Sequence, residues 1–201
     1  MQVRKIMSPN VITIPIQAGL EDAARLMKDY DIRHLPVVDG EVLVGLVTER
    51  DVRGAMFPAM LEDISVRDLM VADPTTVTPD TLLEDAARLV YRQKIGCLPV
   101  IDREGRLQGI VTVADMLAAL IEVMGFLSGS SRLDVELPNR PEALEEAVHI
   151  ILENGGRIIG VSLTKLDKEQ PIHLFRLQKI DLEPIVSDLS RAGYKVVSSL
   201  G

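Results

Sequence analysis

Gly45-Leu46-Val47-Thr48-Glu49-Arg50-Asp51 returns later in the chain as Gly109-Ile110-Val111-Thr112-Val113-Ala114-Asp115. Each copy reads as a buried strand that ends on a hydroxyl residue and opens a helix. A carboxylate follows three residues after the hydroxyl. Thr-x-x-Asp is a capping box, in which the hydroxyl caps the helix and the carboxylate answers it. The same residues have a second use. An Asp at a helix mouth can bind two vicinal hydroxyls, and the N–H groups beside it favour an anion. A phosphorylated sugar presents both. The motif alone supports either use, so its surroundings have to decide.

Working outward, the chain repeats with a shift of 63 residues. Leu20-Glu21-Asp22-Ala23-Ala24-Arg25-Leu26 recurs unchanged from Leu83 to Leu89. Val3-Arg4 and Met7 map to Val66-Arg67 and Met70, Ile32 to Ile95, and Leu35-Pro36-Val37 to Leu98-Pro99-Val100. One residue is inserted in the turn after Asp39 and Asp102, and Pro15 matches Pro79 with a one-residue slip. In the first copy Val11 to Ile14 predicts a short β-branched strand. Leu20, Ala23, Ala24 and Met27 share one face of a helix. Leu35 to Gly40 predicts a strand running into a turn, and Val42 to Val47 a second strand. The helix from Thr48 carries Val52, Ala55 and Met56 on one side and is expected to stop at Pro58. A period this long is not a solenoid repeat but one βαββα unit. So small a unit buries little surface alone, so two should pack as a pseudo-twofold pair with two equivalent clefts.

The last third of the chain is organised differently. Gly125 is expected to end the preceding helix, with residues 125–131 as a linker. Leu133, Val135 and Leu137 alternate as a half-buried strand. Pro141 opens a helix that Gly155-Gly156 ends. Strands follow over Ile158 to Lys165 and Ile172 to Leu177, with a hairpin turn at Asp167 to Pro171. A helix marked by Leu182, Ile185, Val186 and Leu189 and a strand at Lys195 to Val197 complete a βαββαβ, ferredoxin-like order. The expected class is therefore α/β (α+β). The expected domains are 1–64, 65–124 and 132–201.

Composition removes several function classes. The net charge is −8 and the chain has no Trp, three Phe and three Tyr. Such an acidic surface repels phosphate backbones, and few aromatic platforms remain for stacking bases, so nucleic acid is not expected as a partner. The single cysteine, Cys97, excludes an internal disulfide and reads as a small buried thiol. No apolar run reaches the ~18 residues of a membrane span, and the first residues lack a signal-peptide layout. A cytoplasmic, soluble protein is the expectation. No nucleophile elbow, P-loop or metal-spaced His/Cys cluster occurs, so neither catalytic nor metal-binding residues are assigned. His34, His149 and His173 have no ligand partners at metal spacing.

Residues 3 to about 122 resemble a tandem pair of cystathionine-β-synthase (CBS) domains, the Bateman module. The resemblance rests on the doubled Gly-h-h-Thr-x-x-Asp, the doubled Ile-x-x-Leu-Pro-Val-h-Asp and a Met near the start of each unit. It implies that Thr48 and Asp51 in one cleft, and Thr112 and Asp115 in the other, hold the ribose of an adenine nucleotide. Arg33 and His34, close to the Thr48 helix mouth, are weaker phosphate candidates; taken alone they also read as a solvated loop. The expected ligand is AMP, ADP or ATP, with NAD or S-adenosylmethionine as further options and no required cofactor. A carboxylate at the ribose disfavours a 2′-phosphate, so NADP is expected to bind poorly. In the second copy Arg33-His34 becomes Gly96-Cys97 and Glu49-Arg50 becomes Val113-Ala114. The first site is therefore expected to favour charged or polyphosphate ligands, and the second to be weaker or to favour a less charged one.

Asn139 to Leu144 and Ala192 to Val196 resemble an ACT domain, with Glu142 where amino-acid-binding members usually carry Gly. That puts amino-acid binding in doubt and leaves a dimer contact as the expected role. The whole chain resembles the acetoin utilization protein B group, which implies a regulatory role near acetoin or carbon metabolism. Two functions follow. One is a non-enzymatic, homodimeric nucleotide sensor that signals to the ACT-like domain or to a regulated protein partner. The other is a dimeric interaction scaffold with vestigial sites.

Overall fold

The computed structural model describes residues 1–55, 64–124, 129–164 and 171–201. Met56 and Pro58, Gly125, Lys165 and most of the expected 167–171 turn lie outside the described residues. The chain divides into two compact units, Met1–Leu117 and Ala118–Gly201.

In the first unit both repeats build the expected elements. β1 (Ile14–Pro15) lies parallel to β2 (His34–Asp39), which pairs antiparallel with β3 (Val42–Thr48). Between β1 and β2 runs α1 (Leu20–Asp29), which buries Leu20, Ala23 and Met27. β3 leads straight into α2 (Glu49–Ala55). The expected strand over Val11 to Ile14 is shorter than its composition suggested, because pairing starts only at Ile14.

Two short elements open the second repeat: α3 (Val66–Leu69) and β4 (Val71–Ala72). Its body is α4 (Leu83–Gln93), β5 (Cys97–Ile101), β6 (Leu107–Thr112) and α5 (Val113–Val123). The counterpart of β1 is reduced to a parallel bridge between Val77 and Val100. The hairpin turns of the two repeats are tied edge to edge. Leu43 N–H donates to the Gly105 carbonyl at 3.1 Å, and Leu107 N–H donates to the Glu41 carbonyl at 3.1 Å.

Each repeat hands its opening segment to the other. β4, from the second repeat, pairs with Gly45 and Leu46 of the first repeat's β3. Val66 is fully buried in the first repeat's core, among Ile14, Leu35, Val37 and Val47. Reciprocally, Ser8 bridges Ile110 of β6, and Val3 N–H donates to the Thr81 carbonyl at 2.9 Å. This exchange explains the glycine that heads each repeated motif. A Cβ on Gly109 would stand 2.8 Å from Met7 Sδ and 3.0 Å from the Ser8 carbonyl oxygen. A Cβ on Gly45 would run into the side chain of Met70, the counterpart of Met7. A glycine inside a strand marks just such a close approach.

Gly109→Ala is therefore expected to destabilise the chain by about 1–3 kcal/mol, as overpacking against a fixed backbone atom does. Gly45→Ala should cost less, because its nearest neighbours are atoms of one flexible Met side chain. Urea melts of both variants check this ranking, and a larger loss at Gly45 would contradict it.

The other compact unit contains β7 (Ser130–Glu136), α6 (Pro141–Glu153), β8 (Ile158–Thr164), β9 (Ile172–Gln178), α7 (Glu183–Arg191) and β10 (Lys195–Leu200). The sheet order is β10-β7-β9-β8 with every pair antiparallel, which is the split βαβ arrangement. Leu133, Val135, Phe175 and Leu177 of the sheet meet Ala147, Ile151, Ile185 and Leu189 of the helices, all fully buried. Each of the large ones contributes about 1.5–3 kcal/mol on burial.

β7 begins at Ser130, inside the stretch expected as linker. The reason is Ser131, whose hydroxyl donates to the Ile180 carbonyl at 2.9 Å and accepts from Ile180 N–H at 3.1 Å. Gly155, at φ +77°, turns the chain out of α6. Just before that helix, Arg140 makes a two-pronged ion pair with Glu146 at 2.9 and 2.8 Å, and the Tyr194 hydroxyl joins both. The guanidinium and the phenol hold the Glu146 carboxyl down to about 2.

Candidate functional site

The two repeated motifs form the same hydrogen-bonded unit. Thr48 N–H and Thr48 Oγ1 both donate to Asp51 Oδ2, at 3.0 and 2.6 Å, and Asp51 N–H donates back to Thr48 Oγ1 at 3.3 Å. At the second copy the corresponding distances are 2.8, 2.7 and 3.2 Å between Thr112 and Asp115. The cap is thus real in both. It also uses only one carboxylate oxygen. Oδ1 of Asp51 and of Asp115 accepts no hydrogen bond among the described residues. A capped Asp with one oxygen spare can still take sugar hydroxyls.

The cap consumes most of what the helix mouth was expected to offer an anion. Thr48 N–H and Asp51 N–H are spent within the box, and Glu49 N–H donates to the Arg33 carbonyl at 2.9 Å. At the second mouth Val113 N–H donates to the Gly96 carbonyl at 3.0 Å. Affinity for a phosphate must therefore come from side chains rather than from the helix ends.

Those side chains are arranged around two clefts, each assembled from both repeats. The first, about 680 Å³, is lined by Thr48, Glu49 and Arg50, by Val71 to Thr75 at the opening of the second repeat, and by Gln93 to Cys97. The second, about 710 Å³, is lined by Thr112 to Asp115, by Ser8 and Asn10 to Ile12 at the opening of the first repeat, and by Asp31 to His34. Shifted by the repeat, the two lists correspond. The exchange of opening segments is what makes each cleft composite. The correspondence is incomplete: Asp115 and Leu117 line the second cleft while Asp51 and Arg53 do not line the first, and Gln93 and His34 line the first while Tyr30 and Cys97 do not line the second.

Arg33 and His34 were expected at the Thr48 mouth. His34 does pair with Thr48 in the β2–β3 ladder. The structure also brings both residues to the Thr112 cleft, so Arg33, His34 and Gly96 line both clefts and form the partition between them. The packing there is close: a Cβ on Gly96 would lie 2.5 Å from His34 Nε2. Burial, and then the neighbouring Arg33, lower the His34 pKa below its usual value. A lowered pKa favours the uncharged imidazole, so His34 is a weaker phosphate candidate than Arg33. Cys97 also lines the first cleft, and burial pushes its thiol up to about 12. It stays protonated at neutral pH and is no nucleophile.

The charge difference between the clefts has only part of the origin the sequence suggested: Arg50 against Ala114 stays, and Arg33 drops out. Arg33 serves both, and each cleft is lined by two carboxylates, Glu49 and Asp73 in the first and Asp31 and Asp115 in the second, so the inequality comes from Arg50 and Lys94, which line only the first. Lys94 escaped the sequence reading because it aligns with Asp31, and only the crossing of segments between repeats puts it opposite Thr48. Among the described residues no group of His, Cys, Asp or Glu is placed to hold a metal ion, and no helix is long and apolar enough to cross a membrane.

The CBS domain family model matches this chain twice, over residues 3–58 and 66–122. An inosine-5′-monophosphate dehydrogenase of Korarchaeum cryptofilum is 41% identical over 107 residues, covering 53% of this chain. The chain spans only 22% of that enzyme's length. Among solved structures, CBSX2 of Arabidopsis thaliana in complex with AMP superposes with a TM-score of 0.56 at 32% identity, over 61% of this chain and 98% of that one. A Vibrio cholerae protein described as an acetoin utilization protein (AcuB) gives 0.57 at 32%, over 63% and 94%. The CBS domain pair of protein MJ0100, in complex with 5′-methylthioadenosine and S-adenosyl-L-methionine, gives 0.55 at 27%, over 60% and 95%.

Proposed function

Because this chain belongs to the CBS domain family and carries the domain in tandem, we propose that it is a non-enzymatic sensor whose two clefts bind adenosyl ligands. AMP, ADP and ATP are the leading ligands, with NAD and S-adenosylmethionine as further members of the class. Thr48 and Asp51 hold the ribose in the first cleft, and Thr112 and Asp115 in the second. Arg33 supplies positive charge to both. The observation that carries this reading is the doubled Thr-x-x-Asp unit, whose Thr lines a cleft of nucleotide size in each copy and whose Asp, with one carboxylate oxygen spare, also lines the cleft in the second. Neighbours of the same fold that bind AMP, or methylthioadenosine and S-adenosylmethionine, support it.

We further read residues 1–64 and 65–124 as the sensing pair and residues 132–201 as an ACT-like output domain. The βαββαβ order and the antiparallel sheet of the latter support that assignment. Ligand state is then passed to that domain or to a regulated protein partner, in a homodimer. The acetoin or carbon-metabolism setting rests on the likeness to the Vibrio cholerae protein.

A thermal-shift panel with AMP, ADP, ATP, NAD and S-adenosylmethionine tests the proposal. A ligand at a hundredfold excess over its Kd adds about 2.7 kcal/mol to the native state. For a chain of this size that raises Tm by roughly 5–10 °C. No rise with any of the five would favour the scaffold reading with vestigial sites.

A further inference from the structure

The two clefts share a shape and a partition but not a charge. In the first cleft Arg33, Arg50 and Lys94 make no ion pair among the described residues. Of the two carboxylates there, Glu49 is already paired with Arg53, which leaves Asp73. The second cleft holds Arg33 as its one cation, against Asp31 and Asp115. Where the first repeat presents Glu49 and Arg50, the second presents Val113 and Ala114, so the wall beside Thr112 is aliphatic, continued by Val11, Ile12 and Leu117. A cleft with three cations at its rim favours a phosphate dianion. A cleft with two carboxylates and one shared cation favours a neutral or positively charged substituent on the same nucleoside.

Resting on the reading that both clefts take adenosyl ligands, we infer that the chain is a two-input sensor. The Thr48 cleft takes a 5′-phosphorylated adenosine. The Thr112 cleft takes a 5′-thio adenosine, either the neutral thioether or the cationic sulfonium. Arg50 and Lys94 set the first preference. Asp31 sets the second, together with the aliphatic wall. The two classes then bind side by side rather than in competition, separated by Arg33, His34 and Gly96.

The test is a set of calorimetric titrations on the full chain at low salt, with AMP, 5′-methylthioadenosine and S-adenosylmethionine as probes. Saturating AMP should leave one methylthioadenosine site per chain open, and S-adenosylmethionine should compete with methylthioadenosine there. Arg50→Gln combined with Lys94→Asn should weaken AMP by about tenfold or more while leaving methylthioadenosine unchanged. Asn suits position 94, where φ is +56°. Asp31→Asn, at φ +51°, should weaken S-adenosylmethionine several-fold while leaving AMP and neutral methylthioadenosine as they were. One-for-one competition between AMP and methylthioadenosine would overturn the division of labour but keep adenosyl binding. Equal losses for both probes in the double variant would do the same. Failure of all three probes to bind would overturn the underlying reading as well.

Discussion

Gly96→Val is expected to weaken adenosyl-ligand binding in both clefts at once, by about tenfold or more in each. The substitution adds bulk where a Cβ already meets His34 Nε2 at 2.5 Å and Cε1 at 2.8 Å. His34 is half-buried, so it has to move into one cleft or the other, or push the two repeats apart. Either way the partition that both clefts share is displaced. Overpacking of this kind costs about 1–3 kcal/mol in stability, so the variant should still fold. Adding His34→Ala frees the space and should restore binding in part. A double-mutant cycle would show this as a large favourable coupling between positions 34 and 96. Calorimetry with AMP and methylthioadenosine on the single and double variants is the check. Undiminished binding in Gly96→Val would mean that the clefts do not share a wall.

Asp115→Asn should lower affinity in the second cleft by roughly ten- to a hundredfold. The amide keeps one oxygen to accept from Thr112 N–H and Oγ1, so the cap survives and stability changes by about 1 kcal/mol or less. The face offered to the ligand is different. A spare carboxylate oxygen becomes an NH₂ group, and the charge-assisted bond to a ribose hydroxyl is lost, a change worth about 1.5–3 kcal/mol. Asp51→Asn should cost less in the first cleft, because there Thr48 lines the wall and Asp51 does not. Urea melts alongside the titrations separate the two effects. An affinity loss accompanied by an equal stability loss would point to the cap alone.

Much of the CBS pair was legible in the chain because the repeat is explicit. The unchanged Leu20 to Leu26 segment set the helix. The Leu-Pro-Val and Gly-h-h-Thr runs set the hairpin, and Thr-x-x-Asp set the helix start. The exchange of opening segments was not legible. It joins Val66 to Leu35 and Met7 to Gly109, contacts that leave no local periodicity in sequence. Its one trace was a glycine at the same place in two strands, where small size rather than turn geometry was needed. That is why Arg33 was assigned to one cleft and Lys94 to neither, while Arg50 against Ala114 was legible. Without the exchange, Arg33 and His34 belong to their own repeat's motif; with it they serve both, and Lys94 joins Thr48. The lowering of the His34 pKa was also out of reach, since it follows first from burial where segments distant in sequence cross. The split βαβ unit was easier to read because Pro141, Gly155 and the alternation through β7 are local signals. Two strand ends differ: β7 starts early, where a serine is buried by its bonds to Ile180, and the last strand runs on to Leu200 along β7.

On the proposed reading, two Thr-x-x-Asp units each hold a ribose through its vicinal hydroxyls. A calorimetric comparison of AMP with 2′-deoxy-AMP on the wild-type chain tests it most directly. Saturable AMP binding is expected, with a loss of about tenfold or more for the deoxy analogue, as when one hydrogen bond to a charged group is removed. Equal affinity for the two nucleotides, or no binding of AMP at all, would contradict it.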